Sequence, residues 1–396
     1  MVETCFDRHP CWVAGEGPEA SVAVWCQCSL LRNLADFAFP AACSDEEKRA
    51  IEERVLVALE VLHLLDEGRY RGMPGFARAE VLSLAECRLI PFELALNGKP
   101  GTGVYVSEDQ STSIAINGSD HLCITMLASG LQFQDVWARL AVLDDRLSGS
   151  LDYAFDKRLG FLTTSLGHAG TGLRAGVVLH LPGLVMANGM ANLVQGARQR
   201  RQAVHGLKST VSPAAVASAA SSSVARKSQP ENPPITDLGE AFYMDLTGAL
   251  YGDVTEAEGD LFLLTNLATL GVSEEEILFH LRHAASEIIA QEQAARDALV
   301  ANDQRRLEDR VYRALGIARS ARVLGFTEGA TLWSSLRLGI ETGLLSGYSL
   351  HHVNELLFAS QGGHIRMKTG RDCDEWLLST ERADLFRARF APDREG

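Results

Sequence analysis

The sequence predicts an α+β fold followed by a smaller, purely helical region, and three observations carry that reading. Short β-rich runs alternate with amphipathic helical stretches up to about residue 300, and only helical stretches follow. At 396 residues, the chain is long enough for one main core and a second, smaller one. Helix-start signatures, Ser44 to Glu47 and Ser273 to Glu276, stand directly before runs of apolar residues at helical spacing. The expected division is 18–302 and 303–396.

Taken in order, residues 22–25 (VAVW) read as a short buried strand. The Ser44 capping box opens a helix over 45–67 whose apolar face is Ile51, Val55, Leu59 and Leu62. Residues 112–116 and 122–126 are β-rich runs joined through "NGSDH", a tight connection made of turn formers. From Leu131 to Leu147, Phe133, Val136, Trp137, Leu140 and Leu143 line one helical face. Strands are predicted at 160–165 and 174–181, with Pro182 as the first residue of a helix through Gln202.

Composition then changes abruptly. Residues 208–235 are Ser-, Ala-, Pro- and Lys-rich with no apolar periodicity, which reads as a disordered insertion. Order resumes at 240–247 and at "DLFLLTNLATLG" (260–271). The Ser273 box then begins a long helix through Val300 with Ile277, Leu281, Ala284, Ile288 and Ala295 on its face. Four shorter helices are expected at 304–318, 328–337, 350–360 and 374–388, and there is no internal repeat.

The net charge of −14 argues against a nucleic-acid or anionic-membrane surface as the main partner. No run of 18 apolar residues predicts a membrane span, and "MVETCFDRHPCW" lacks the basic and apolar regions of a secretory signal. The eight cysteines are scattered in mostly apolar contexts, as reduced core thiols of a cytoplasmic protein are. Cys5, His9 and Cys11, or Cys26 and Cys28, are near one another in sequence. No second ligand pair stands at zinc-site spacing, so no metal is expected.

The segment "YAFDKRLGFLTTSLGHAGTGLRAGVVLHLP" (153–182) combines apolar runs, a glycine-dense loop and an arginine. Its glycines follow G-x-x-G-x-G before a predicted strand, which is not the dinucleotide fingerprint, and the Gly-Lys-Ser/Thr of a P-loop is absent. Read from the residues alone, these glycines serve backbone geometry.

That segment, with "LLRNLADFAFP" (30–40), "INGSDHLCI" (116–124) and "LYGDVTEAEGDLFLLTNLATLGVSEEEI" (250–277), resembles the phosphagen kinase superfamily. Together with "EIIAQEQAARDALV" (287–300) and "LEDRVYRALGIA" (307–318), it is most similar to the bacterial McsB-like protein-arginine kinases. The resemblance runs from about residue 20 to about 360, leaving 208–235 unmatched. It implies a large antiparallel sheet flanked by helices, a small helical domain after it, and transfer of the ATP γ-phosphoryl group to arginine.

Carried over residue by residue, the resemblance implies a depleted site. Where the family has two phosphate-holding arginines, this chain has Gln27 and Ser29; Arg32 matches a third and is expected to be structural. Gly118 and Ser119 replace the family's glutamates, and Cys123 replaces a phosphate arginine. Ser165 stands for the reactive cysteine and His168 for an asparagine. Asp253 stands for a glutamate, and a further arginine is missing near Gly248. Arg174 remains to face phosphate, or else pairs with Asp120 or Asp253; Lys157, Arg158 or His168 could replace lost charge. His121 beside Asp120 is expected to form a structural pair. The family's phosphoarginine pocket is matched by Arg371 and Asp372, whereas Glu375 and Trp376 break its second half.

A charge-assisted hydrogen bond contributes roughly 1.5–3 kcal/mol. Four absent arginines therefore weaken phosphate binding by about 6 kcal/mol or more, on the order of 10⁴-fold. A missing general base lowers the rate by about 10²–10⁴-fold. The expectation is a pseudokinase, with an active kinase of rearranged site as the alternative; ATP and magnesium enter only if binding is retained. Expected partners are proteins: a second copy in a homodimer, an active kinase, or Clp-type quality-control machinery.

Overall fold

The computed structural model describes residues 11–96, 98–200, 202–207, 257–370 and 373–391. The predicted disordered stretch 208–235 and the ordered 240–247 lie outside the described residues, as do Asp253, Arg371 and Asp372.

The strands are β1 (Ala23–Arg32), β2 (Gly68–Gly72), β3 (Gly103–Ser107), β4 (Thr112–Ile116) and β5 (Leu122–Ser129), then β6 (Phe155–Asp156) and β7 (Gly160–Phe161). They continue with β8 (Leu173–His180), β9 (Gln202–Gly206) and β10 (Leu261–Asn266). Eight of them form one sheet, ordered β2-β3-β4-β5-β1-β8-β10-β9. Every pairing in it is antiparallel. β6 and β7 make a separate small hairpin.

The helices are α1 (Asp45–Val61), α2 (Arg78–Glu86), α3 (Phe92–Leu96), α4 (Phe133–Ser148), α5 (Pro182–Met186), α6 (Met190–Gln199) and α7 (Glu274–Asn302). Beyond them come α8 (Gln304–Ser320), α9 (Phe326–Glu341), α10 (Leu350–Ala359), α11 (Gly362–Thr369) and α12 (Glu375–Phe390). Both capping boxes form: Ser44 accepts from the Glu47 backbone N–H while Glu47 returns a bond to Ser44, and Ser273 and Glu276 do the same. Each such cap stabilises a helix start by about 1 kcal/mol.

Alternation along β1 divides the molecule into layers. Cys26, Cys28 and Leu30 enter a core with Ile51 and Val55 of α1, Leu140 and Leu143 of α4, and Leu281 of α7. On the opposite face, Trp25, Leu127, Val178 and Leu263 pack in one cluster with Val311, Trp333, Phe358 and Phe386 of the C-terminal helices. A fully buried Leu or Phe in these layers contributes about 1.5–3 kcal/mol.

The structure corrects several expectations. β1 runs ten residues rather than four, because sheet pairing on both sides carries it through the polar Gln27 and Ser29. The strand expected at 160–165 is reduced to Gly160–Phe161, paired with β6. The helix expected from Pro182 to Gln202 breaks at Asn188, whose φ of 56° and neighbouring Gly189 end α5; Gln202 already belongs to β9. β2, β3, β6, β9, α2, α3 and α11 correspond to no predicted element.

Two buried polar joints tie the sheet side to the C-terminal helices. Arg337 donates to the Ser21 carbonyl (2.8 Å) and to Nδ1 of His180 (3.1 Å), whose Nε2–H reaches Ser334 (2.8 Å). In the other, the Glu86 carboxylate accepts the backbone N–H of Gly363 (2.6 Å) and of His364 (3.0 Å) at the start of α11. This joint needs glycine: a Cβ on Gly363 would fall 2.7 Å from the Ser83 nitrogen and 2.8 Å from Leu82 Cβ. Gly363→Ala is expected to lower stability by about 1–3 kcal/mol. Gly316→Ala in α8, with nothing within 4 Å, is neutral or slightly stabilising. Urea midpoints of the two variants check the contrast.

Candidate functional site

The side chains of Gln27 and Ser29 point away from the α1–α4 core, toward the face whose lower part is the C-terminal cluster. The register sets Ser29 opposite Thr125 on β5 and opposite Arg174 on β8, with Leu31 opposite Cys123. Gln27, Ser29, Cys123 and Arg174, separated by up to 147 positions in the chain (174 − 27), are thereby brought together. Thr125, which sequence reasoning passed over, completes the group; its only signal was its alternation with Cys123.

The hydrogen bonds form a row of neutral groups. Gln27 Nε2 donates to Ser29 Oγ (3.1 Å), Ser29 Oγ bonds Thr125 Oγ1 (2.8 Å), and Cys123 Sγ lies 3.6 Å from Thr125 Oγ1. The side-chain amide oxygen of Gln27, Oε1, is buried without a hydrogen-bond partner among the described residues. Burial pushes the Cys123 thiol up to about 11, so it stays protonated.

Arg174 is the arginine that the register sets beside Ser29, and Arg88 lies further along the same face, its guanidinium carbon 4.7 Å from the centre of the Trp25 ring. The Arg174 guanidinium donates to His168 Nε2 at 3.1 Å. Burial, and then Arg174 itself, lower the His168 pKa to about 4, so the ring is neutral and acts as an acceptor. The expected pairing with Asp120 is electrostatic: burial raises the Asp120 carboxyl and the Arg174 charge pulls it back. Asp120 takes its hydrogen bonds from Asn33 Nδ2 (2.6 Å) and the Thr164 N–H (2.7 Å). His121 does not bond Asp120 as expected; both hold Asn33, His121 through its own N–H (3.0 Å).

Thr164 joins the two serine loops, donating from Oγ1 to the Ser119 carbonyl at 2.7 Å. Ser119 and Ser165 are both exposed on this rim. Lys157 and Arg158 sit exposed in the β6–β7 turn, not on the sheet face. Arg32 lies on the opposite face, its charge committed to Asp144 at 2.7 Å. Among the described residues of β1, β5, β8 and β10, Arg174 is therefore the one arginine or lysine on the site face.

The glycine loop serves geometry, as its residues suggested. Gly170 (φ 106°) would place a Cβ 2.3 Å from the Thr269 carbonyl, and Gly172 (φ 65°) one 2.7 Å from both Arg32 Nη1 and the Leu31 carbonyl. Cys26 and Cys28 both enter the α1–α4 core, where burial raises both thiols, Cys26 to about 12. Among the described residues no group of three His, Cys, Asp or Glu side chains is placed to hold a metal. Glu375 and Trp376 occupy the first turn of α12, with the Trp376 ring in solvent.

Comparison with known families decides the kinship. Residues 50–226 and 227–295 match the ATP:guanido phosphotransferase C-terminal catalytic domain, and 304–395 match the protein-arginine kinase McsB C-terminal domain. The chain belongs to the protein-arginine kinase branch of the ATP:guanido phosphotransferases. It is 33% identical over 392 residues to a protein-arginine kinase of Pelotomaculum thermopropionicum, covering 98% of each chain. A protein-arginine kinase of Halalkalibacterium halodurans is 33% identical over 395 residues, with 97% of this chain and 96% of that one covered. In fold, the chain resembles lombricine kinase (TM-score 0.51, 17% identity), over 73% of this chain and 69% of the other. The antiparallel sheet with flanking helices is thus the phosphagen kinase fold.

Proposed function

We propose that this protein-arginine kinase homologue acts by binding rather than by phosphoryl transfer. The observation that carries the reading is the row Gln27–Ser29–Thr125–Cys123, neutral throughout, with Arg174 as the cation beside it. Magnesium–ATP does not fit this donor set. A triphosphate needs several fixed cations to offset its desolvation, and phosphoryl transfer depends on such neutralisation. Ser119 cannot take up a proton as a carboxylate does. The shape of the site is kept while its charge is lost, which suits a role in recognition.

The partner on this reading is a protein: a second copy, an active kinase of the same family, or Clp-type quality-control machinery. The described cysteines are free thiols, which supports a reducing compartment such as the cytoplasm. No helix among the described residues is long and apolar enough to cross a membrane.

The test is the isolated chain with magnesium–ATP and casein, read by phosphoarginine mass spectrometry. No phosphoarginine is expected, and 5 mM ATP should stabilise the fold by less than about 0.5 kcal/mol. Casein phosphorylation would overturn the proposal. It would favour the second reading, an active enzyme with a rearranged site, which the relatives at 33% identity support. That reading requires ATP affinity that falls with Arg174→Ala.

A further inference from the structure

Away from the sheet face, three titratable groups stand in line where α2 meets α11. Cys87 caps the C-terminal end of α2, and His364 lies in the first turn of α11. The Glu86 carboxylate, fully buried, accepts from His364 Nδ1 at 2.6 Å as well as from the two backbone N–H groups of α11. The other ring nitrogen, Nε2, faces Cys87 Sγ at 3.4 Å and Ser83 Oγ at 3.5 Å. A carboxylate holding one nitrogen of an imidazole while the other meets a thiol is the arrangement that activates a cysteine.

The molecule contains its own contrast. Cys43 Sγ also stands near an imidazole, 3.8 Å from Nε2 of His121. There Nδ1 accepts the Leu34 N–H, burial lowers the ring to about 4, and the imidazole is neutral. At His364, burial pulls in the same direction, but the Cys87 sulfur and the Glu86 carboxylate reverse it and raise the ring to about 10. An imidazole within reach of a sulfur can take the thiol proton as the sulfur attacks, as the His–Cys pairs of nucleophilic sites do. Cys26, Cys28 and Cys123 have no such neighbour, and burial keeps them as thiols.

We propose that Cys87 is an oxidation-sensitive thiol, activated by His364 and oriented through Glu86, whose substrate is a small hydroperoxide. Access sets the size: Cys87 is 3% exposed, while 13% of the His364 side chain reaches solvent. So little exposure favours a reagent as small as hydrogen peroxide, with two heavy atoms, over bulkier thiol reagents. In the step, a thiolate lone pair attacks one peroxide oxygen; the S–O bond forms as the O–O bond breaks, giving a sulfenic acid. The departing hydroxide takes the Nε2 proton of the imidazolium and leaves as water. Sulfur loses two electrons and the peroxide gains them.

The experiment uses the full chain, folded, at neutral pH. Short pulses of hydrogen peroxide are stopped with catalase, the protein is unfolded in excess alkylating reagent, and each cysteine peptide is quantified. Cys87 is expected to lose its alkylatable thiol about tenfold faster than Cys26, Cys28 or Cys123, and faster than in urea-unfolded protein. His364→Asn should abolish the difference. Should that variant fail to fold, Glu86→Gln and the folded-versus-urea comparison of the native sequence give the answer. A Cys87 rate at or below the urea rate, or equal rates in a folded His364→Asn variant, overturns the proposal, whatever the outcome with ATP.

Discussion

Replacing Arg32 by alanine is expected to cost about 3–5 kcal/mol of folding stability, the cost of leaving a buried partner charge uncompensated. Arg32 is 1% exposed at the end of β1. Nε and Nη2 bond the Asp144 carboxylate of α4 at 2.7–3.2 Å, and Nη1 donates to the carbonyls of Leu31 (3.0 Å) and Thr171 (2.9 Å). The guanidinium carbon also lies 3.6 Å from the centre of the Phe161 ring. Removing this side chain opens a cavity, orphans two carbonyls and strands a carboxylate. The double change Arg32→Met with Asp144→Leu should recover much of the loss, since no buried charge then remains. Urea unfolding of the three variants is the measurement. A loss below about 1 kcal/mol for Arg32→Ala, or a change in ligand binding at unaltered stability, would make Arg32 a site residue instead of an anchor.

Acid is expected to weaken the fold through histidines held neutral inside it. His121 and His168 are lowered by burial to about 4, and Arg174 adds to the effect at His168. His180 is lowered well below its ordinary value by burial and then by Arg337, Arg296 and Arg310. The unfolded chain takes up these protons near pH 6.5 and the folded chain only near pH 4. Their contribution is therefore fully present above 6.5 and is lost as pH falls through the folded values. For buried His121 the shift corresponds to about 3 kcal/mol, and to less for His168, whose ring is partly in solvent. The Asp120 and Glu292 carboxyls, raised by burial, act in the opposite sense and offset part of this. Thermal unfolding between pH 7 and 4.5 should show a falling midpoint, with a shallower fall in His121→Gln. Equal midpoints across that range, or an unchanged slope in the variant, would contradict it.

Much of the site was legible because strand alternation and collinear motifs are local properties. Gln27, Ser29, Cys123, His168 and Arg174 were all singled out from sequence, and the structure brings them to one place. What they bond to was not legible. Arg174 donates to His168, a partner the sequence did not suggest for it, because the glycine-led turn at 166–172 brings the ring to β8; its interaction with Asp120 is electrostatic, and Asp253 lies outside the described residues. The break at Asn188 did have a local signal, the Asn188-Gly189 pair, but the apolar spacing on either side of it reads as one continuous helix.

The amino-acid sequence alone determined the capped helices, their buried faces and the kinship with the arginine kinases. These are written in spacings of three or four residues, or in collinear motifs. Only the tertiary structure decided the strand order and the anchoring of Arg32 on Asp144. It also set Cys87 and Glu86 beside His364, which is 277 and 278 residues away in the chain. The physical reason is that such contacts exist only after two distant surfaces have been desolvated against each other, and no local pattern records which surface will meet which.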